Sequence, residues 1–401
     1  MVDVFITIDS ECSMGGALKD PKKQPVSPER LVLGRIGSKY YGTPLIMSIL
    51  ERNGLRGTFF VEVLASQVVN QQQMADAYGQ IIARGHDAQL HLHPVYHYYR
   101  LLRQGLITRD QLPPNMDLIG SLSLSTQLQL LHEGVALARN FTGRNPIAFR
   151  AGCYGASTST LTALSQVGIE YDSSFNASYL EKTCLIDSHE PTNMPWQAGS
   201  VWEIPITNFE TGIGWLRGLK HLDVVAVSWL EMMRVLNEAE RLNLGTIVFL
   251  LHSFSFLKTK DVQFCTMRPD RLVINRFEAL CRYLGKNSKR FRISTFSDRP
   301  RPACTTPDKS FPDLGNRATA LSQACPRAQP VLLDLRPSVI SVRGHYWQAR
   351  QELRLSPGDE DVPENALTEV LVGAATAEDH DRSTCMTTDC HFNTIGREVI
   401  R

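Results

Sequence analysis

Short apolar segments alternate with amphipathic segments over the first 298 residues of the chain. Val2–Ile8 alternates apolar and other side chains with period two, which predicts a strand. Thr246–His252 is almost wholly apolar, as in a strand that is buried on both faces. The same reasoning predicts further strands at Gly57–Val61, Asp87–His93, Ile147–Arg150, Glu170–Ser173, Val201–Pro205 and Phe291–Phe296.

Helix patterns lie between the predicted strands. They cover a segment opened by Thr43 and Pro44 and closed by Gly54, then Gln67–Arg84, Ser125–Phe141, Ser157 to Gly168, Ser228 to just before Gly245, and Asp270–Leu284. Repeated strand-helix units predict parallel strands joined by right-handed crossovers. Seven or eight such units favour a closed or nearly closed barrel, with a doubly wound open sheet as the alternative.

The pattern changes after residue 298. Arg299-Pro300-Arg301-Pro302 begins a stretch of scattered proline, hydroxyl and charged residues without sustained periodicity. We therefore expect one barrel domain over 1–298 and an irregular or disordered tail over 299–401. Four tail residues could be taken for a zinc cluster, but their spacing fits no usual ligand pattern and favours ordinary tail residues: His380, Cys385, Cys390 and His391.

Composition excludes several classes of protein. The 401 residues are 43% apolar and carry a formal net charge of +1, which gives no electrostatic reason to expect nucleic acid or an anionic membrane as partner. No uncharged apolar run is long enough to span a bilayer. Nine irregularly spaced cysteines favour free thiols in a reducing compartment. The N-terminus has no pattern of a secretion signal, so we expect a cytoplasmic protein.

Candidate chemistry gathers at the predicted strand ends. Asp9 and Glu11 share one face of the first strand, and two carboxylates there repel unless a cation or a proton separates them. His91 and His93 also point the same way, so that both imidazoles can reach one metal ion, and His97 offers a possible third. Read separately, each pair is also compatible with a solvated strand end.

Two further strand ends carry single polar residues. Arg150 follows an apolar strand and would pair with a carboxylate, holding it ionised. His252 ends the apolar strand that begins at Thr246 and is well placed as a general acid, although a structural role is commoner for a single histidine in such a place. Cys153 is interpreted as a small buried residue, because the motif supplies no base for a nucleophile.

In this order the segments resemble the polysaccharide deacetylase family, also called carbohydrate esterase family 4 or NodB-like, over about 1–298. The resemblance rests chiefly on Gln89-Leu90-His91-Leu92-His93-Pro94 and Phe149-Arg150-Ala151-Gly152. It implies a deformed (β/α)7 barrel and a divalent metal, usually zinc. It also implies a role for each strand-end residue: Asp9 as catalytic base, Glu11 and His91 as metal ligands, Arg150 as the residue that positions the base, His252 as the acid, and Tyr154 as the source of a backbone N–H for the oxyanion.

The sequence departs from the family pattern in three places. Ser10 separates the two acidic residues that are usually adjacent, so that the base and ligand roles of Asp9 and Glu11 could be exchanged. Val95 stands where the family has its second histidine, which makes His93 the expected second ligand and His97 its substitute. Gly152-Cys153 precedes Tyr154 where the family usually has proline before the tyrosine.

We therefore expect a metal-dependent hydrolase that removes an acetyl group from an N-acetylated saccharide, with a cytoplasmic saccharide or glycoconjugate precursor as the easiest substrate. Hydrolysis of another non-peptide C–N bond, as in a cyclic amide or imide, remains an alternative, as does a catalytically silent carbohydrate-binding barrel. A redox or structural zinc protein would need regular cysteine pairs. Several aromatic residues could stack on sugar rings, although packing is the commoner role: Tyr96, Tyr98, Tyr99, Trp196, Trp202 and Trp215. The oligomeric state is left open.

Overall fold

The computed structural model describes residues 1–187, 192–212, 218–300 and 311–312. The strands are β1 (Val2–Ser10), β2 (Arg35–Ile36), β3 (Lys39–Tyr40), β4 (Thr58–Glu62), β5 (Asp87–Leu92), β6 (Ala148–Ala151), β7 (Tyr171–Asp172), β8 (Trp196–Ala198), β9 (Val201–Glu203), β10 (Asn208–Thr211), β11 (Gly218–His221), β12 (Thr246–His252), β13 (Leu257–Thr259), β14 (Met267–Pro269) and β15 (Phe291–Ile293). The helices are α1 (Pro28–Leu31), α2 (Thr43–Arg52), α3 (Gln71–Ala83), α4 (Val95–Arg103), α5 (Leu124–Thr142), α6 (Thr158–Gln166), α7 (Trp229–Arg241) and α8 (Arg271–Lys286).

One sheet of mainly parallel strands organises the described part of the chain. Its strand order is β12-β1-β4-β5-β6-β7-β9-β8, and β15 pairs with the start of β1. The seven strands from β12 to β9 pair in parallel, whereas β8 is antiparallel to β9. Parallel neighbours require crossovers, and the helices between the strands supply them.

The sheet curls so that its two ends approach each other. Beyond β9, Thr207 N–H donates to the carbonyl of Val248 in β12 (3.4 Å), and Val248 N–H donates to Thr207 Oγ1 (2.8 Å). Leu250 N–H in turn donates to the carbonyl of Leu222 (3.0 Å). These bonds close the gap between the edge strands without a regular ladder, as expected for a deformed barrel.

Two apolar clusters lie on opposite faces of this sheet. The smaller cluster fills the interior and draws its members from both ends of the strand order: Phe5, Phe60, Ala148, Tyr171, Ile204, Ile206, Val248 and Phe296. The larger cluster packs the outer face against the helices, and in β1 it takes the alternate residues Val4, Ile6 and Ile8. An interior shared by distant strands is a property of a barrel and not of an open doubly wound sheet.

The predicted α/β architecture of parallel strands and helices is confirmed, although α4 was not among the predicted helices and several element ends differ. Gly42 and not Thr43 precedes α2, and the helix expected from Gln67 begins at Gln71, where the side chain of Asn70 accepts the N–H of Gln73. The capping box at Ser228 is present as predicted. The last strand is shorter than predicted, because a 3-10 turn follows it at Phe296–Asp298.

The boundary between barrel and tail stays a prediction, since most of 299–401 lies outside the described residues. The tail residues that are described contact the barrel. Arg299 pairs with Glu170 (2.6 Å), and Glu210 N–H donates to the carbonyl of Pro312 (2.8 Å). The tail histidines and cysteines at 380–391 are not among the described residues.

Among the described residues, no helix combines the length and the apolarity needed to cross a membrane.

Candidate functional site

Strand alternation brings the candidate residues to one end of the barrel interior. Phe5 lies in the interior cluster, so Asp9 and Glu11, four and six residues further along, lie on the same side. In β5 the alternate residues Leu90 and Leu92 pack outward, which turns His91 inward. The carboxyl ends of parallel barrel strands meet at one rim, the usual place for an active site.

Arg150 and Asp9 form a fully buried ion pair inside the rim. One guanidinium nitrogen of Arg150 donates to Asp9 Oδ1 (2.7 Å) and to Thr7 Oγ1 (2.9 Å). The other two nitrogens donate to the carbonyl and hydroxyl of Ser173 (2.9 and 3.0 Å), and the group lies 4.2 Å above the ring of Phe60. With all three nitrogens bonded, Arg150 has one position and orients the Asp9 carboxylate.

Glu11, His91 and His93 converge at the same rim. The Nε2 atoms of both histidines lie 2.9 Å from one oxygen, Glu11 Oε2, and the two rings are 5.0 Å apart at nearly a right angle. Their side chains are 4% exposed or less. The ligand atoms of the three residues lie within 4.8 Å of one another, which is close enough to hold a single metal ion.

The remaining imidazole nitrogens fix which way the lone pairs point. His91 Nδ1 lies 2.7 Å from the carbonyl of Arg150, which can only accept, so Nδ1 carries the proton. His93 Nδ1 faces the carboxylate of Asp117 at 2.8 Å, which places a proton there too. Both Nε2 lone pairs are then directed at a carboxylate oxygen. Three electron-rich groups in a buried space require a cation or a proton between them.

The pKa of His93 in the metal-free chain also indicates a need for positive charge at this place. Burial lowers the pKa of His93, but the charges of Asp117 and Glu11 outweigh burial and raise it well above the usual value. A proton on His93 therefore supplies positive charge when no metal ion is present. The donor set of two imidazoles and one carboxylate fits a divalent ion such as zinc.

Asp117 is a residue of the site that the sequence did not indicate. It lies in the loop between α4 and α5, where its Oδ2 faces His93 and its Oδ1 accepts the N–H of Val95 at the start of α4 (3.2 Å). A carboxylate in this place orients the imidazole and increases its basicity. The stretch around Asp117 has no periodicity, so no sequence signal marked it.

His97, the substitute ligand, does not join this group. It lies on α4 with its Nδ1 3.3 Å from a guanidinium nitrogen of Arg100 and 3.8 Å from Glu133. Burial lowers the pKa of His97, and Arg100 lowers it further. Of the two alternatives, the structure brings His93 to Glu11 and directs His97 to Glu133.

His252 lies on β12 directly beside Asp9, its partner in the ladder between the two strands. Its Nε2 is 4.0 Å from Glu11 Oε1, and its ring stacks on Phe254 with centroids 5.1 Å apart. The His252 side chain is 14% exposed. It is more exposed than the side chains of Asp9, Glu11, His91, His93 and Arg150, and less exposed than that of Asp117. A partly exposed imidazole beside the buried carboxylates can exchange protons with a bound substrate.

Tyr154 ends the short turn Gly152–Tyr154 that follows Arg150. Cys153 and Tyr154 have φ of 53° and 59°, a conformation that residues with side chains rarely adopt and that recurs at active sites. The ring of Tyr154 packs against Tyr179 (4.8 Å) and His221 (6.2 Å). Burial raises the pKa of Tyr154, and Tyr179, Asp223 and Asp9 raise it further, so the phenol remains neutral.

Gly152 allows the turn to approach the ring of His93. A Cβ atom at this position would lie 2.5 Å from both Cε1 and Nδ1 of the His93 ring. Only glycine fits against the ring without displacing it.

Most of the aromatic residues that the sequence offered for sugar stacking have packing partners. Tyr96 and Tyr99 belong to the outer apolar cluster, Tyr98 packs against it, and the ring of Trp196 meets Phe175 at 4.9 Å. Trp202 packs against the interior cluster, and Trp215 is not among the described residues. Tyr179 and His221, which the sequence did not indicate, lie beside Tyr154 at the rim.

Comparison with known proteins gives matches among solved structures alone. No family model matches the chain, and no curated protein does. One match is described as a polysaccharide deacetylase from Mycobacterium smegmatis, with 16% identity, 77% of this chain and 95% of that chain covered, and a TM-score of 0.47. A family 4 carbohydrate esterase from Streptomyces lividans, in complex with acetate, has 12% identity, coverage of 77% and 98%, and a TM-score of 0.38.

A family 4 pseudoenzyme from Bacillus anthracis also matches, with 10% identity, coverage of 63% and 56%, and a TM-score of 0.31. The matches thus include the family that the motifs resemble. Likeness at this level assigns neither an activity nor a residue role to the chain. Proposals about both rest on the geometry of the site.

Proposed function

We propose that this protein is a metal-dependent hydrolase that removes the acetyl group from an N-acetylated saccharide. The observation that carries the proposal is the convergence of the His91 and His93 Nε2 atoms on one buried oxygen of Glu11. Beside it lies a second carboxylate, Asp9, which Arg150 holds in place. A binding protein without chemistry needs neither the buried cation site nor the oriented base.

Glu11, His91 and His93 would hold the ion, most suitably zinc, and leave a further coordination position open. When bound, such an ion polarises an acyl carbonyl and lowers the pKa of water. Asp117 would keep His93 oriented towards the ion, and the carbonyl of Arg150 would do the same for His91.

The other residues would move protons and bind charge. Asp9 takes a proton from the attacking water as the new C–O bond forms on the acetyl carbon. The backbone N–H of Tyr154 donates to the oxygen that becomes negative. His252 gives a proton to the amine nitrogen as the C–N bond breaks, so that acetate and a free amino sugar leave.

The positions of the two acidic residues support Asp9 as the base and Glu11 as the ligand. Glu11 lies between two imidazoles, and its side chain is 1% exposed. Asp9 instead receives a hydrogen bond from Arg150 and stands next to His252 across the sheet. A base and an acid on neighbouring strands can act on opposite sides of one scissile bond.

We also propose a saccharide or glycoconjugate precursor of the cytoplasm as the substrate class. Four cysteines of the described residues are free thiols, which is usual in a reducing compartment: Cys12, Cys184, Cys265 and Cys281.

The test is acetate release by the zinc-loaded protein from N-acetylglucosamine, N-acetylated oligosaccharides and a nucleotide-linked N-acetyl sugar. We expect one free amine per acetate. The Asp9→Asn variant should lose about 100-fold or more of the rate, as usual for a general base, whereas His97→Ala keeps it. Hydrolysis of cyclic amides alone, or equal rates for Asp9→Asn and wild type, would contradict the proposal.

A further inference from the structure

Two buried carboxyl groups on the outer face of the barrel have no part in the mechanism above. Asp172 in β7 and Glu203 in β9 are ladder partners on adjacent parallel strands, and both are 0% exposed. Tyr171 and Ile204 face the interior cluster, so their neighbours Asp172 and Glu203 share the opposite face. Two adjacent carboxyl groups without access to solvent would destabilise the fold if both were ionised.

Each carboxyl group of the pair has one oxygen with a hydrogen-bond donor and one oxygen without. Asp172 Oδ1 accepts from the hydroxyl of Ser174 (2.7 Å), and Glu203 Oε1 accepts the N–H of Phe175 (3.0 Å). Each carboxyl group affects the pKa of the other, as neighbouring buried acids do. Within the described part of the chain, Asp172 Oδ2 and Glu203 Oε2 have no hydrogen-bond donor.

Two ionised carboxylates in this contact would repel, whereas one proton between them satisfies both remaining oxygens. Burial raises the pKa of Glu203, and the neighbouring Asp172 raises it further, so Glu203 keeps its proton. Burial also raises the pKa of Asp172, against the opposing effects of its hydrogen bonds.

The pair is connected to Arg150 through the residues that it holds. The Ser174 hydroxyl, which donates to Asp172, accepts the N–H of Ala151, the residue after Arg150 (2.8 Å). Ser173 lies between Asp172 and Ser174, and its carbonyl and hydroxyl accept from Arg150. Two of the four hydrogen bonds of the Arg150 guanidinium therefore depend on the position of Ser173, which the acid pair holds through Ser174 and Phe175.

We propose that Asp172 and Glu203 share one proton across β7 and β9, and that this pair is the positioning element that holds Ser173 under Arg150 and so keeps Arg150 on Asp9. The effect on rate rests on the proposed function, whereas the shared proton and the position of Arg150 do not.

Amide variants test the shared proton, because one amide imitates a protonated acid and two amides do not. In Glu203→Gln the new amide donates to Asp172, and in Asp172→Asn it donates to Glu203. In the double variant two NH2 groups face each other, and one must turn away from Ser174 or Phe175. We expect each single variant to keep its fold and most of its rate, and the double variant to lose far more than the product of the single effects.

The experiment measures three quantities on the zinc-loaded full chain: thermal unfolding, kcat and KM for acetate release, and the Arg150–Asp9 contact in crystals. In the double variant we expect kcat to fall about 100-fold, as for a misplaced catalytic group, with KM and zinc content unchanged. Crystals should show Arg150 moved from Asp9. The proposal would be overturned if the double variant loses as much stability as the sum of the single losses and its rate falls by the product of the single effects.

A second variant covers the case in which the double variant does not fold. Ser174→Ala leaves the acid pair in place but cuts its connection to Ala151. We expect a lower kcat at unchanged zinc content and a displaced Arg150, and an unmoved Arg150 would overturn the positioning role. If the wild type releases no acetate, the proposed function fails, but the stability cycle and the crystal structures still decide this proposal.

Discussion

The replacement of Gly152 by alanine tests whether the turn after Arg150 is built around the proposed metal ligand His93. The added Cβ would lie 2.5 Å from two atoms of the His93 ring and 2.7 Å from a third. Ordinary contact between such atoms needs about 3.5 Å, so either the ring or the turn must move by about 1 Å. His93 cannot move without loss, because its two nitrogens are held at 2.8 Å by Asp117 and at 2.9 Å from Glu11.

The expected cost has two parts. Overpacking in a buried site destabilises by about 1–3 kcal/mol. A displaced histidine also loses its orienting carboxylate, and loss of such a partner lowers metal affinity about 10- to 100-fold. We therefore expect Gly152→Ala to fold, with a lower melting temperature, and to bind zinc at least 10-fold more weakly than the wild type.

Zinc affinity is measured by competition with a chelator of known affinity. The matched control is Gly245→Ala, because a Cβ at Gly245 meets nothing within 4 Å and φ there is not positive. Equal zinc affinity in Gly152→Ala, Gly245→Ala and the wild type would refute the reasoning, since it would mean that His93 does not need its present position to bind metal.

Three further predictions concern charges around the site. Asp117→Asn should weaken zinc binding about 10- to 100-fold, as measured by the same chelator competition. Asp76→Asn, on an exposed helix face, should leave zinc binding unchanged. Equal losses in the two variants would contradict an orienting role for Asp117. Arg150→Met leaves Asp9 as an uncompensated buried charge and should lower the free energy of unfolding in denaturant by about 3–5 kcal/mol. The exposed control Arg139→Met should lower it by almost nothing. A loss below about 1 kcal/mol for Arg150→Met, as for a surface ion pair, would contradict the buried pair. In the metal-free protein, burial raises the pKa of Glu62 from 4.5 to about 7. Neutral Glu62 therefore stabilises the folded protein fully below pH 4.5, and this stabilisation is lost as the pH rises to about 7. Glu62→Gln does not titrate, and its unfolding free energy relative to the wild type should rise by about 3 kcal/mol over that range, whereas a constant difference would show that Glu62 ionises normally.

Local alternation explains why the sequence predicted much of the candidate site. Asp9 and Glu11, like His91 and His93, are two residues apart where a strand ends, and the alternation of extended backbone turns such pairs to one side whatever the rest of the fold does. The apolar neighbours of each pair identified the strands, and repeated strand-helix units indicated that their carboxyl ends meet. The grouping of these residues therefore needed no knowledge of long-range contacts.

The contacts made by loops and by the outer face could not be predicted in this way. Asp117 reaches His93 through a loop without periodicity, and Tyr179 and His221 come to Tyr154 from segments far apart in sequence. Glu203 at the end of a short strand has the pattern of an ordinary solvent-facing charge. Its burial follows from the register between β7 and β9, which no local pattern specifies.

The central claim is that Glu11, His91 and His93 form one metal site, and the metal content of the purified protein tests it most directly. After supplementation with zinc and removal of the excess, we expect one equivalent of a divalent ion in the wild type and in His97→Ala, and a loss of that ion in both His91→Ala and His93→Ala. A wild type that retains no metal, or a His93→Ala variant that binds as the wild type does, would contradict the account.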